Sequence, residues 1–208
     1  MIMPRSVRWR VLVNKIYTMI DSALEHAGMT NQVNVAIDGM CGSGKTTLAE
    51  EFARRYACNL FHMDDFFLRP EQRTAARYAQ AGGNVDYERF RTEVLDHLAD
   101  EGGFVYRRFD CRRMALGEPR EVSWNRLNII EGAYSCHPYF GDAYHLRFFM
   151  EVSAEEQKRR ILARNGAEMY QRFEREWIPM ENRYFEAYGI RDKCIVVSSS
   201  NGGACNYS

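Results

Sequence analysis

Between residues 39 and 47 the chain reads Gly39-Met40-Cys41-Gly42-Ser43-Gly44-Lys45-Thr46-Thr47, a G-x-x-x-x-G-K-T spacing. Glycines at those intervals let the backbone curl until several N–H groups face a single anion. A helix starting directly afterwards adds its positive dipole end to the same point. In such a loop Gly39, Gly42, Ser43, Gly44, Lys45, Thr46 and Thr47 hold the phosphates of a nucleotide. Lys45 reaches the β- and γ-phosphates as a point charge, and the Thr46 hydroxyl ligates Mg²⁺. The flanks agree: residues 33–37 are mostly β-branched, and Leu48, Ala49, Phe52 and Ala53 recur at i,i+4. That is the strand–loop–helix setting of a phosphate loop.

Further acids and arginines sit just after apolar runs. Asp64 and Asp65 follow residues 58–63. A carboxylate there can take the proton of an attacking hydroxyl, or help hold Mg²⁺ through water; the alternative is a turn-initiating pair. Adjacent strand-like residues point opposite ways, which favours Asp64, the first off the strand. Glu131 closes the run at 127–130, where an acid orients Mg²⁺ or its waters. Lys158, Arg159, Arg160 and Arg164 crowd one segment, with Arg160 and Arg164 on one helix face. They read as a mobile lid that clamps developing phosphoryl charge, or else as a solvated helix of Glu/Arg pairs. Asp86 reads either as the N-cap of a helix at Tyr87 or as an acceptor for sugar hydroxyls.

The elements that must position these groups alternate. Helical spacing covers 11–27, 45–56 and 87–100. Strand-like runs cover 33–38, 58–63, 127–130, 146–152 and 194–197. Gly82-Gly83-Asn84 marks a turn within a polar stretch at 69–86. Residues 107–121 suggest a hairpin turning at Gly117-Glu118-Pro119, and Ser153 with Glu156 forms a capping box before a long charged helix. The expected fold is α/β: a three-layer α/β/α P-loop NTPase fold with a mostly parallel sheet and a helical lid. Ligands of such sheets sit at the carboxyl ends of the strands. One domain spans 1–208, with a helical extension at 1–32, the lid and following helix at 153–185, and a flexible tail at 198–208.

Composition narrows the partners. The 208 residues carry a formal net charge of zero, so no global basic field recruits nucleic acid or anionic membrane. Six cysteines show no zinc spacing, and Cys41 lies inside the phosphate loop, which fits a reducing compartment. No apolar run is long enough to span a bilayer. The expectation is a cytoplasmic protein with a nucleotide and a small-molecule acceptor as partners, no nucleic acid and no membrane; homo-oligomerisation is left open.

Four motifs in order resemble the uridine kinase and phosphoribulokinase-like group of P-loop kinases. They are Asp38 to Thr47, Met63-Asp64-Asp65-Phe66-Phe67, Asn84-Val85-Asp86-Tyr87-Glu88-Arg89-Phe90 and Ile129-Ile130-Glu131-Gly132. The arginine helix at 158–164 is similar to that group's lid. The resemblance implies transfer of the γ-phosphoryl of ATP to a primary hydroxyl with Mg²⁺, first of a uridine- or cytidine-like nucleoside. It implies Asp64 as base, Glu131 at the magnesium, Asp86 on ribose hydroxyls and Tyr106 in the nucleoside pocket. The group's pyrimidine-reading histidine after that tyrosine is missing: Arg107-Arg108-Phe109-Asp110-Cys111-Arg112-Arg113 follows instead. Arginines such as Arg108 would suit an anionic acceptor, for example a sugar phosphate or nucleotide; pantothenate-like and nicotinamide riboside-like acceptors are further alternatives. From another class stands a nucleotide-dependent regulatory ATPase or switch. A guanine switch would need an N-K-x-D motif, but Asn14-Lys15 is followed by Ile16-Tyr17.

Overall fold

The computed structural model describes residues 7–198 and 205–206. Helix α1 (Val7–Ala27) turns one apolar stripe inward through Leu12, Val13, Ile16 and Ile20. Strand β1 (Val33–Gly39) leads into the phosphate loop and α2 (Lys45–Arg55). There follow β2 (Asn59–His62), α3 (Ala75–Ala79), α4 (Tyr87–Glu93), β3 (Phe104–Asp110) and β4 (Ala115–Val122). The chain continues through β5 (Leu127–Glu131), β6 (Leu146–Glu151), α5 (Ala154–Arg172), α6 (Ile178–Tyr188), β7 (Ile195–Ser198) and β8 (Cys205–Asn206).

The main sheet has the order β2-β5-β1-β6-β7-β8, with every pair parallel except the last. Along β1 the side chains alternate between two cores, as the pleat requires. Val33, Val35 and Ile37 face α1 and α2, joining Ile16, Ile20, Leu48 and Phe52. Ala36 faces the other layer, with Phe66, Phe90, Tyr134, Tyr184 and Phe185. All five residues of β5 are buried, as expected of a strand covered on both faces. The expected α/β/α layering is therefore present.

Several local expectations are corrected. The hairpin exists, but β3 and β4 pair antiparallel around residues 111–114, with Gly117 and Pro119 inside β4. The Asp110 carboxylate accepts the N–H groups of Arg112 (2.8 Å) and Arg113 (3.1 Å), and Met114 adopts φ 52°. This Asx-type turn overrides the Gly-Glu-Pro signal, and Pro119 is tolerated because a two-stranded ribbon leaves one side of each strand unpaired. The helix expected over 87–100 ends at Glu93: Val94 leaves the helical region and a single 3₁₀ turn follows at Leu95–His97. Asp64 and Asp65 lie in a 3₁₀ turn, Met63–Phe66, so strand alternation does not separate them. Of the tail expected to be flexible, Cys205–Asn206 pairs with β7; residues 199–204 and 207–208 lie outside the described residues, as do 1–6.

The segment expected to form a lid follows β6. Ser153 caps α5, its Oγ accepting the Glu156 N–H at 3.4 Å. At Gly166 the backbone turns to φ 80°, ψ 171°, a conformation open essentially to glycine, and α5 kinks there. A π-helical turn, Phe173–Trp177, then hands over to α6. Among the described residues no helix is long and apolar enough to cross a membrane.

Candidate active site

The phosphate loop leaves the end of β1 under tight packing. A Cβ at Gly39 would lie 2.1 Å from the Met150 carbonyl oxygen, so β1 and β6 approach too closely there for any side chain. The preceding Asp38 is fully buried and holds the loop's base. Its Oδ1 accepts from the N–H of Gly39 (2.7 Å) and Tyr134 (3.2 Å); its Oδ2 accepts from the N–H of Cys136 (2.9 Å) and the Tyr184 hydroxyl (2.8 Å). One carboxylate thus ties β1 to the segment after β5 and to α6.

Within the loop, Lys45 Nζ donates to the carbonyls of Gly39 (2.7 Å) and Met40 (3.0 Å). Thr46 Oγ1 donates to the Glu131 carboxylate at 3.2–3.3 Å. On its other side Glu131 meets His62 Nδ1 at 2.6 Å, and that hydrogen bond holds the His62 pKa above its ordinary value. Helix α5 clasps the loop from outside. Arg160 donates to the carbonyls of Gly42 (3.1 Å) and Ser43 (3.2 Å) while pairing with Glu156 at 2.7 Å. Gln157 donates to the Cys41 carbonyl at 2.9 Å, and Glu181 of α6 accepts the Cys41 N–H at 2.8 Å. Burial raises the Glu181 carboxyl, with Lys45 opposing.

These groups line one open cleft of about 1290 Å³. Gly42, Ser43, Gly44, Lys45, Thr46 and Thr47 form its floor, Glu131 and Asp64 one wall, Arg159, Arg160 and Arg164 another. Gly39 is not part of the lining; it is the packing residue described above. Arg164 Nε donates to Asn165 rather than to the loop. Asp64 opens into the cleft and is exposed there; partial loss of water beside the surrounding protein, then the nearby charge of Glu131, raises its pKa, while Lys45 and His62 pull it down. Asp65 is engaged instead: Arg108 Nε lies 2.7 Å from its Oδ2, and the Tyr106 hydroxyl donates to it at 3.3 Å.

The three candidates for acceptor contacts, Asp86, Tyr106 and Arg108, are engaged by neighbouring residues and do not line the cleft. Asp86 caps α4, its Oδ1 accepting the Arg89 N–H at 3.2 Å, with Arg89 Nε 3.5 Å and Arg69 Nε 3.8 Å from its Oδ2. Tyr106 is buried in the core, stacked on Phe66 at 5.6 Å and edge-on to Phe61 at 5.8 Å. Arg108 is spent on Asp65. Phe67, Asn84 and Tyr134 do line the cleft, with Met169, Phe173 and Trp177 from the segment after β6. Tyr134 sits at φ 75°, unusual for a side-chain-bearing residue, and lines the cleft with Asn84. The long-range partners of Asp38, His62 and Glu181 stand 69 to 146 positions away, so the ties they make across the site carry no local sequence signal.

The donor set suits a nucleotide with Mg²⁺. Thr46 Oγ1 and the Glu131 carboxylate are hard oxygen ligands side by side. Ser43 Oγ is buried in the loop with no hydrogen-bond partner, a group a phosphate oxygen would satisfy. Among the described residues no group of three or more His, Cys, Asp or Glu is arranged to hold a metal by itself. A cation here would share its shell with phosphate oxygens and water, the usual habit of Mg²⁺.

Comparison with solved structures decides the fold. A possible uridine kinase from Bacillus stearothermophilus superposes with a TM-score of 0.66, covering 92% of this chain and 99% of its own, at 17% identity. The chain has the P-loop kinase fold. A candidate fructose transport system kinase from Silicibacter sp. TM1040 matches with a TM-score of 0.62 at 22% identity, over 81% of this chain and 93% of its own. A family model described as shikimate kinase matches residues 41–107, from the middle of the phosphate loop through most of β3. No curated protein matches the sequence. Within the P-loop kinase fold, the resemblance read from the four ordered motifs therefore holds at the level of architecture.

Proposed function

We propose that this chain is a small-molecule kinase that passes the γ-phosphoryl of ATP to a primary hydroxyl. The observation that carries the reading is the cleft itself. The phosphate loop, Thr46 beside Glu131, the lid arginines and an uncommitted carboxylate at Asp64 all meet there. Lys45 would leave the Gly39 and Met40 carbonyls for phosphate oxygens. Arg160, already on the loop, would stabilise charge on the moving phosphoryl with Arg164 and Arg159 beside it. Asp64 would accept the acceptor's hydroxyl proton, and its raised pKa makes it a better base than an ordinary aspartate. Bound Mg²⁺, held by Thr46 and Glu131, would neutralise charge on the phosphates. The protein's contribution is then positioning and electrostatics rather than covalent chemistry.

For the acceptor, a uridine- or cytidine-like nucleoside is supported by the flat rings of Phe67 and Tyr134 beside Asn84 and by Asp86 Oδ2, buried without a hydrogen-bond partner. A different small hydroxyl acceptor is favoured by the burial of Tyr106 and the absence of a pyrimidine-reading histidine. The zero net charge supports action on small molecules and not on nucleic acid, and Cys41 inside the phosphate loop supports a reducing, cytoplasmic compartment. The test is ADP release from Mg·ATP with and without uridine, cytidine, pantothenate, nicotinamide riboside and sugar phosphates. Release that depends on one of these supports the kinase; equal release without any acceptor supports a regulatory ATPase instead.

A further inference from the structure

Helix α1 lies outside the four motifs, yet its Trp9 lines the cleft together with Gly44, Lys45, Thr46 and Thr47. The reason is the direction of α1. Its carboxyl end is fixed at the amino ends of the strands: Arg126, just ahead of β5, donates through Nε to the Gly28 carbonyl at 3.0 Å and also reaches the Leu24 carbonyl. Midway, Tyr17 packs edge-on against Phe52 (5.8 Å) and Tyr56 (6.0 Å) of the α2 arm. The fifteen steps of helix from Leu24 back to Trp9 span roughly 22 Å at about 1.5 Å each. The seven residues of β1 span roughly 20 Å at about 3.3 Å per step. The amino end of α1 therefore arrives at the carboxyl edge of the sheet, beside the start of α2, with Trp9 half-buried against the α1/α2 core.

The two ends of the cleft differ in kind. Asp64 follows β2 and Glu131 ends β5, both on one side of β1, and the aromatic side chains near Asp64 belong to the layer holding Phe66 and Tyr134. A nucleotide with its γ-phosphate turned toward Asp64 must send its base the opposite way. Trp9 belongs to the opposite layer. We propose that the Trp9 indole is the stacking platform for the purine of the nucleoside triphosphate donor. This rests on the nucleotide reading above and adds the residue that receives the base. Stacking uses the ring face, so Trp9 serves adenine and guanine alike.

Binding of Mg·ATP, Mg·GTP and magnesium tripolyphosphate, measured by calorimetry on the wild type, Trp9→Leu and Trp9→Phe, tests this. Leucine keeps apolar packing without an aromatic face, whereas phenylalanine keeps a smaller face. The expected result is a loss of about tenfold for ATP and GTP in Trp9→Leu, since one base–aromatic stack is worth roughly that factor or more. Trp9→Phe should hold most of the affinity, and tripolyphosphate should bind all three proteins equally. Unchanged ATP affinity in Trp9→Leu would overturn the proposal, as would an equal fall for ATP and tripolyphosphate, which would mean a disturbed loop. A wild type that binds tripolyphosphate but gains nothing from the base also overturns it. A wild type that binds none of the three removes the nucleotide reading and this inference with it.

Discussion

The carboxylate of Asp65 is taken by Arg108 and Tyr106, whereas that of Asp64 opens into the cleft beside Glu131. Asp64→Asn should therefore lower kcat by about 10²- to 10⁴-fold, the usual worth of a positioned base, with Mg·ATP affinity preserved. Steady-state kinetics and direct nucleotide binding check the two halves separately. The pH dependence has a definite sign. A base works when deprotonated, and partial desolvation with the Glu131 charge raises the Asp64 pKa, so the acid limb of kcat should lie above the ordinary aspartate value of about 3.9. His62 pulls that pKa down, so His62→Asn should move the limb to higher pH; a limb that stays put would separate His62 from Asp64. At this scale the sequence shows what stands at the end of an apolar run: Asp64, Glu131 and the loop itself. It does not show which member of Asp64-Asp65 is engaged, because Arg108 arrives from a different element, the β3–β4 hairpin. Nor does it show Tyr106 in the core, since that depends on Phe61 and Phe66 presenting faces to it.

Among the elements, α5 carries a kink. Gly166 lies where α5 kinks, and a Cβ added there would meet nothing within 4 Å. Gly166→Ala is thus a conformational test and not a steric one. The strained backbone costs about 1–3 kcal/mol. The alanine should straighten α5, lower kcat by roughly tenfold or more and leave the melting temperature within a few degrees. Gly39→Ala should behave oppositely, abolishing stable folding, because its Cβ would collide with the backbone of β6; thermal melts distinguish the two. The helix and strand order was legible from period and β-branching. Turn positions were less so: side-chain acceptance by Asp110 fixed the hairpin turn where Gly-Pro spacing pointed elsewhere. The kink at Gly166 and the π-turn behind it interrupt a sequence that reads as continuous charged helix.

For the whole molecule, acid stability should depend on His137. Its ring is buried, stacked on Tyr87 at 4.2 Å and Tyr184 at 6.0 Å, and Nδ1 accepts the Tyr139 N–H at 3.2 Å. Burial lowers its pKa to about 4. The unfolded chain takes up this proton near pH 6.5, the native one near 4, so stability falls as pH drops through that window and the slope ends below it. His137→Phe should remove on the order of 2 kcal/mol of the difference between denaturant-derived stabilities at pH 7 and 4.5. The layered sheet brings a loop from β1, acids from beyond β2 and β5, and arginines from α5 to one edge. The transfer of a phosphoryl group between two bound molecules is what that convergence is suited to. The most direct measurement follows a radiolabelled γ-phosphate in a single turnover with the acceptor that stimulates ADP release. The label should appear on the acceptor's hydroxyl with the wild type and not with Asp64→Asn, although both bind Mg·ATP. Label appearing as inorganic phosphate at the same rate with or without acceptor would contradict the kinase reading.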